Sequence, residues 1–170
     1  MTDQRIKLAE HGACFVCGTE NPMSMGVQYY WDGQTVHADF VFDQRHQGPP
    51  AHAHGGSLAA VLDEAMGAAV WLAGHSVVAA NLNLDYRQPV PLGEKVTLKA
   101  WSGEKGNRSI KANAELYRAD GRVAVEAKGV FVIAPQIFAN DYYSVVSDEG
   151  GDGPRVLFRS RRPDEGPSGG

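Results

Sequence analysis

The stretch HAHGGSLAAVLDEAMGAAVWLAG, His52 to Gly74, constrains this chain more than any other part of it. Gly55-Gly56 opens the segment, Ser57 is a good N-cap and Gly74 supplies a C-terminal stop, so the sequence predicts a helix between them. Leu58, Val61, Leu62, Met66, Val70, Trp71 and Leu72 fall on nearly every face of that helix, and a helix apolar all round is a buried one. Yet Asp63 and Glu64 sit side by side at its centre. An ionised carboxylate in apolar surroundings is costly unless it is paired or hydrogen-bonded, so the two acids have either structural partners or a chemical use.

Turn signals parse the rest. A polar lead-in closes in CFVCGTENPMSMG, a Gly/Pro/Asn-rich loop. Strands are predicted over Val27 to Trp31 and Thr35 to Phe42, where Val36, Ala38, Phe40 and Phe42 alternate with Thr35, His37 and Asp39; Asp32-Gly33 between them is a hairpin signal. The stretch DQRHQGPPAHAHGG is rich in breakers, and no regular element is expected in it. Beyond the helix, Val77 to Tyr86, Glu94 to Ser102, Arg108 to Arg118 and Val123 to Ile133 read as strands. The second carries Val96, Leu98 and Ala100 on one face, the third Ile110, Ala112, Ala114 and Leu116, and Asp120-Gly121 joins the last two. The order is strands, one central helix, then an antiparallel meander. It predicts an α+β domain in which a curved antiparallel sheet wraps one long buried helix. Past about Ser147 glycine, proline and mixed charge predict a flexible tail, which divides the chain into a lead-in (1–26), a domain (27–146) and a tail (147–170).

At 170 residues, 43% hydrophobic and 21% charged, the chain is long enough to bury the core of one ordinary domain. The longest apolar stretch holds both carboxylates and is too short to span a bilayer, and the N-terminus has no signal-type apolar run, so no membrane role and a cytoplasmic location are expected. A net charge of −4 with no Lys/Arg stripe argues against a nucleic-acid partner.

Cys14 and Cys17 form a CFVC run, a spacing that in a reducing compartment points to metal or redox chemistry more than to a structural disulfide. Zinc takes four ligands. His11 could supply a third, but no second CxxC or HxxxH follows, so loop packing and no metal are expected. His52 and His54 alternate and point apart on an extended segment, which discounts that pair as ligands too.

Three runs, CFVCGTENPMSMG, HQGPPAHAHGGSLAAVLDEAMGAA and NLNLDYRQPVPLGE, resemble the hotdog-fold thioesterases of the 4-hydroxybenzoyl-CoA and phenylacetate-pathway type. HGG, an acid in the middle of a buried helix, and a strand ending in Tyr-x-x-Pro stand here in that family's order. The resemblance implies a hotdog fold, acyl-CoA as substrate, hydrolysis without metal or cofactor, and a homodimer or a dimer of dimers. It places the catalytic acid nine residues after His54, at Asp63, as general base or nucleophile. The backbone N–H of Gly55 would meet the thioester carbonyl, with His54, Gly56 and Glu64 around the reaction.

The residues themselves agree with that chemistry. A helix N-terminus offers unpaired N–H groups backed by its dipole, and the positions one turn from Asp63 are Ala59, Ala60 and Gly67, small enough to leave room for a substrate. Glu64 competes as a paired structural acid, since its neighbours include Ala68 and Trp71; the resemblance favours Asp63. Gly55 and Asp63 are eight residues apart, about 12 Å along a helix, so one chain is not expected to supply both groups and a two-fold partner is.

Two positions depart from the family. Where relatives carry Ser or Thr seven residues before the Tyr, this chain has Ala79, with Asn81 the nearest polar side chain; in place of an Asn ahead of HGG it offers His46 and Gln47. For the CoA phosphates the candidates are Lys105, Asn107 and Arg108, with Arg87 next. Trp71, Met66, Tyr29 and Tyr30 fit either an acyl pocket or plain core. A non-hydrolytic protein that binds acyl thioesters, or a dehydratase or cyclase, would use the same fold.

Overall fold

A computed structural model describes residues 5–138, with the backbone of 143–147 and 156–160. Seven strands form one antiparallel sheet: β1 (Ile6–Lys7), β2 (Tyr30–Trp31), β3 (Val36–Val41), β4 (Val77–Tyr86), β5 (Lys95–Lys105), β6 (Ser109–Tyr117) and β7 (Val123–Ile133). A long helix, α1 (Gly55–Leu72), packs across it against β3, β4, β5, β6 and β7. The alternation read from the sequence is what the sheet uses. Val96, Leu98 and Ala100 of β5 and Ile110, Ala112, Ala114 and Leu116 of β6 are buried together with Leu58, Val61, Leu62, Met66 and Val70 of α1. Burying side chains of this size contributes roughly 1.5–3 kcal/mol each, which is what holds the helix on the sheet.

The strand order is β1-β2-β3-β5-β6-β7-β4. Only β5, β6 and β7 form the expected meander. β4 follows α1 in sequence but pairs with β7, because β3 already occupies the free side of β5 and the helix carries the chain across to the far edge. A ten-residue edge strand results, with a register shift between Ala79 and Asn81.

Four local expectations are corrected. The N-cap is His54, not Ser57, and α1 begins at Gly55. Val27–Tyr29 lie outside the ladder, since Val27 N–H bonds to Val16 O (3.0 Å) and Leu8 N–H to Tyr29 O (2.9 Å), which commits this backbone to the N-terminal loop. The breaker-rich loop holds a 3-10 turn, Gln44–His46, because the Asp43 carboxylate accepts the Arg45 N–H and the His46 ring accepts the Asp43 N–H. Within the stretch expected to be a flexible tail, Val156–Ser160 is strand β9, paired antiparallel with β8 (Tyr143–Ser147). A short helix, α2 (Pro135–Phe138), follows β7. Among the described residues no helix is long and apolar enough to cross a membrane.

Candidate active site

The loop before α1 fixes the helix start. Its ring buried against Phe40 and Phe42, His46 presents its carbonyl to the His54 N–H at 2.7 Å. The chain can pass this closely because residue 48 is glycine: a Cβ there would lie 2.8 Å from His54 Cα. His54 then turns its own ring onto the helix, Nδ1 accepting the Gly56 N–H at 2.8 Å. That bond leaves Nε2 as the protonated nitrogen of the neutral ring. Gly55, one residue earlier, keeps its N–H unengaged among the described residues, while its carbonyl accepts the Tyr86 hydroxyl at 2.9 Å. The result is a helix N-terminus with one donor capped and one still available, where the helix dipole favours negative charge.

At mid-helix the two carboxylates part company. Glu64 is engaged: its Oε1 lies 3.1 Å from His11 Nδ1 and accepts the Cys17 thiol at 3.3 Å. Burial would push its pKa up, but the His11 hydrogen bond and charge, with the thiols, hold it below the usual carboxylate value. Asp63 has no hydrogen-bond or ion-pair partner among the described residues, and burial, then the Glu64 charge, lifts its pKa to about 6. It faces a cleft of about 180 Å³ whose walls include Gly67, Trp71, Ala79, Phe131 and Phe138. Adjacent acids with pKa values pushed apart are the usual mark of a division of labour. The contacts differ: Glu64 is held by His11 and Cys17, and Asp63 faces the cleft without a protein partner among the described residues.

The remaining candidates are dispersed. Asn81 is exposed on the β4 edge, beside the register shift. Arg87 is exposed, its Nε and Nη2 both donating to Oε2 of Glu126. Lys105, Asn107 and Arg108 form the exposed β5–β6 hairpin tip, at the end of the sheet where Ile110, Phe131 and Ala79 stand in register and therefore at the Asp63 end of β4; Arg87 is at the other. His46 is buried and anchors the loop, its Nδ1 accepting the Asp43 N–H at 3.0 Å. Gln47 is exposed, its Oε1 accepting the Ala51 N–H at 3.2 Å. Met66 and Tyr29 are core, and the Tyr29 hydroxyl donates to Val61 O of α1 at 2.8 Å. Trp71 alone of the four suspected acyl-pocket residues lines the cleft beside Asp63, its ring edge-on to Phe138 at 4.6 Å. Sequence reasoning missed Phe131 and Phe138, which no local pattern marks, and the hydroxyl of Tyr86, which the Tyr-x-x-Pro run did contain.

Cys14 and Cys17 were expected to pack a loop. The structure sets them with His11 against Glu64, so that one ligating atom from each of the four lies within 4.8 Å of every other. Both cysteines are free thiols.

One helix laid on an antiparallel sheet, with an acid in the helix and a donor at its start, defines a hotdog thioesterase-like domain. Residues 51–125 match the family described as Thioesterase superfamily. The acyl-coenzyme A thioesterase THEM4 of Xenopus laevis is 34% identical over 88 residues, covering 51% of this chain and 39% of that protein. The chain thus aligns with little more than a third of that curated relative. A crystal structure of a thioesterase superfamily protein superposes with a TM-score of 0.68 at 32% identity, covering 71% of this chain and 60% of the other. The PaaI protein of E. coli, from the phenylacetic acid degradation operon, shares the fold at 18% identity, TM-score 0.60, over 65% of this chain and 80% of its own.

Proposed function

We propose that this protein hydrolyses acyl-CoA thioesters. The observation that carries the reading is Asp63: a carboxylate in a cleft, without a protein partner among the described residues, in a fold whose helix start holds an available N–H at Gly55. The THEM4 relative, an acyl-CoA thioesterase, supports CoA as the thiol.

In the reaction, the Asp63 carboxylate takes a proton from water as the water oxygen attacks the thioester carbon. The carbonyl electrons move to oxygen, where the Gly55 N–H meets the developing charge. Their return breaks the C–S bond, and the departing thiolate takes back the proton, giving acid and CoA. Eight residues separate the two groups in sequence, about 12 Å along the axis, so the N–H and the carboxylate come from different subunits of a two-fold dimer. The ten-residue β4 edge, which carries the end of the Tyr86–Gly55 bond, is the surface that would pair. Arg87 of one subunit and the Lys105–Arg108 tip of the other would then flank the same site, where CoA phosphates need cations.

Free-thiol release across a panel of acyl-CoAs, with wild type and Asp63→Asn side by side, tests the reading. Turnover of at least one acyl-CoA that Asp63→Asn loses is the expected result. Binding of acyl-CoA with no thiol release across the panel would instead establish the non-hydrolytic alternative, which Ala79 in the cleft wall favours.

A further inference from the structure

We propose that His11, Cys14, Cys17 and Glu64 bind one zinc ion, which clamps the N-terminal loop onto α1 beside the cleft. The expectation that this chain takes no metal rested on finding three ligands where zinc takes four; the fold brings Glu64, 47 residues from Cys17, to the fourth position.

The distances fit a tetrahedral ion. With bonds of about 2.3 Å to sulfur and about 2.0–2.1 Å to nitrogen and oxygen, the edges of such a site are about 3.4 Å for N to O and about 3.6 Å for S to O. His11 Nδ1 to Glu64 Oε1 is 3.1 Å, and Cys17 Sγ to Glu64 Oε1 is 3.3 Å. Small outward shifts of these side chains admit the ion.

The loop is also built to hold thiolates. The His11 N–H points at Cys17 Sγ (3.4 Å) and the Val16 N–H at Cys14 Sγ (3.3 Å), supplying the outer hydrogen bonds that orient and stabilise metal-bound sulfur. Bonds from Cys14 N to His11 O (2.8 Å) and from Gly18 N to Cys14 O (3.0 Å) close the turn. It is tight enough that a Cβ on Gly18 would fall 2.2 Å from Gly12 O. Two thiolates, an imidazole and a carboxylate suit zinc among the common divalent ions, and four protein ligands leave no open position for substrate. The ion's task is therefore structural. His11 and Glu64 line the cleft with Asp63, so the clamp also fixes one wall of it.

The proposal is independent of the hydrolytic reading, and its test does not use activity. The full chain, dialysed against metal-free buffer, should retain about one zinc per chain by elemental analysis, and Cys14→Ser/Cys17→Ser less than about a tenth of that. Replacing zinc with Co2+ in the wild-type chain should give the visible absorption of a tetrahedral site and the near-ultraviolet thiolate-to-cobalt band. That readout stands even if the double variant fails to fold. Glu64→Gln should keep the thiolate band while weakening zinc affinity at least about tenfold. A wild-type chain that holds no zinc and shows no thiolate band with Co2+ overturns the site. So does zinc retained undiminished in the double-cysteine variant.

Discussion

Tyr86 holds Gly55 from the side opposite its free donor: the phenol donates to the Gly55 carbonyl at 2.9 Å, and a Cβ on Gly55 would lie 3.4 Å from the same ring. The last residue of β4 thus pins the first residue of α1, and with it the direction of the N–H that would meet the substrate. Tyr86 is a positioning residue on this account. Tyr86→Phe removes one exposed hydrogen bond with a net worth of about 0.5–1.5 kcal/mol. We expect kcat to fall roughly 3–10-fold with KM nearly unchanged and the melting temperature lowered by a few degrees. An effect confined to KM would show that the bond serves binding instead.

Asp63→Asn removes the base at nearly constant volume. Thiol release should drop at least about a hundredfold while circular dichroism and melting temperature hold. Activity retained within about tenfold, a barrier change under roughly 1.4 kcal/mol, would take Asp63 out of the chemistry.

Ala79 shares the cleft wall with Asp63, and the family that the sequence resembles implies a hydroxyl at this position. Ala79→Ser adds a donor and acceptor there without filling the space. If the missing hydroxyl limits this chain, kcat for its best acyl-CoA rises about 3–10-fold, the worth of one hydrogen bond in the transition state. An unchanged rate would mean that the water is already held by other groups.

What was legible in the sequence follows from what is local. The bounds of β4 and β7 and the stop after α1, where Gly74 adopts φ +95°, come from period-two alternation and turn chemistry that neighbouring residues dictate. The place of β4 beside β7 was not legible, because which strands pair depends on where the helix returns the chain. Ser57 was the better cap by residue type, but the His54 ring reaches the Gly56 N–H, where a Cβ on residue 56 would lie 3.0 Å from His54 Nδ1. Asp63 was singled out over Glu64 by the family resemblance, with its small neighbours one turn away in the helix as support. Its separation from Glu64 was hidden because the partners of Glu64 lie in the lead-in.

Glu94 joins the start of β5 to the β6–β7 turn, accepting from the Arg118 guanidinium at 3.1 and 3.3 Å and from the Ala119 N–H at 3.0 Å. The Arg118 hydrogen bond holds its pKa below the usual carboxylate value, although burial and nearby Asp120 act the other way. A carboxyl with a depressed folded-state pKa adds stability above its unfolded value, near 4.3, and loses it as pH falls through the folded value. Arg118→Met should therefore cost up to about 1 kcal/mol at pH 7, or about 2–4 °C in melting temperature, and less near pH 3. Equal losses at both pH values would assign the effect to the arginine stem's packing.

The cross-subunit site can be tested by complementation. Asp63→Asn removes the carboxylate and Gly55→Pro the donor. Proline is tolerated sterically at this position, because it is the first of the helix and His54 before it already has φ −67° and ψ 138°, the conformation that precedes proline. Each variant alone should be inactive and folded. When the two are co-folded, random pairing makes about half the dimers mixed, and each mixed dimer joins one intact Gly55 to the partner's intact Asp63 in one of its two sites, so roughly a quarter of wild-type activity should return. A site contained in one subunit could not recover this way, since every chain in the mixture carries one defect. Mixed dimers shown to form, yet inactive, would place both groups in a single chain and return the search for the donor to another N–H.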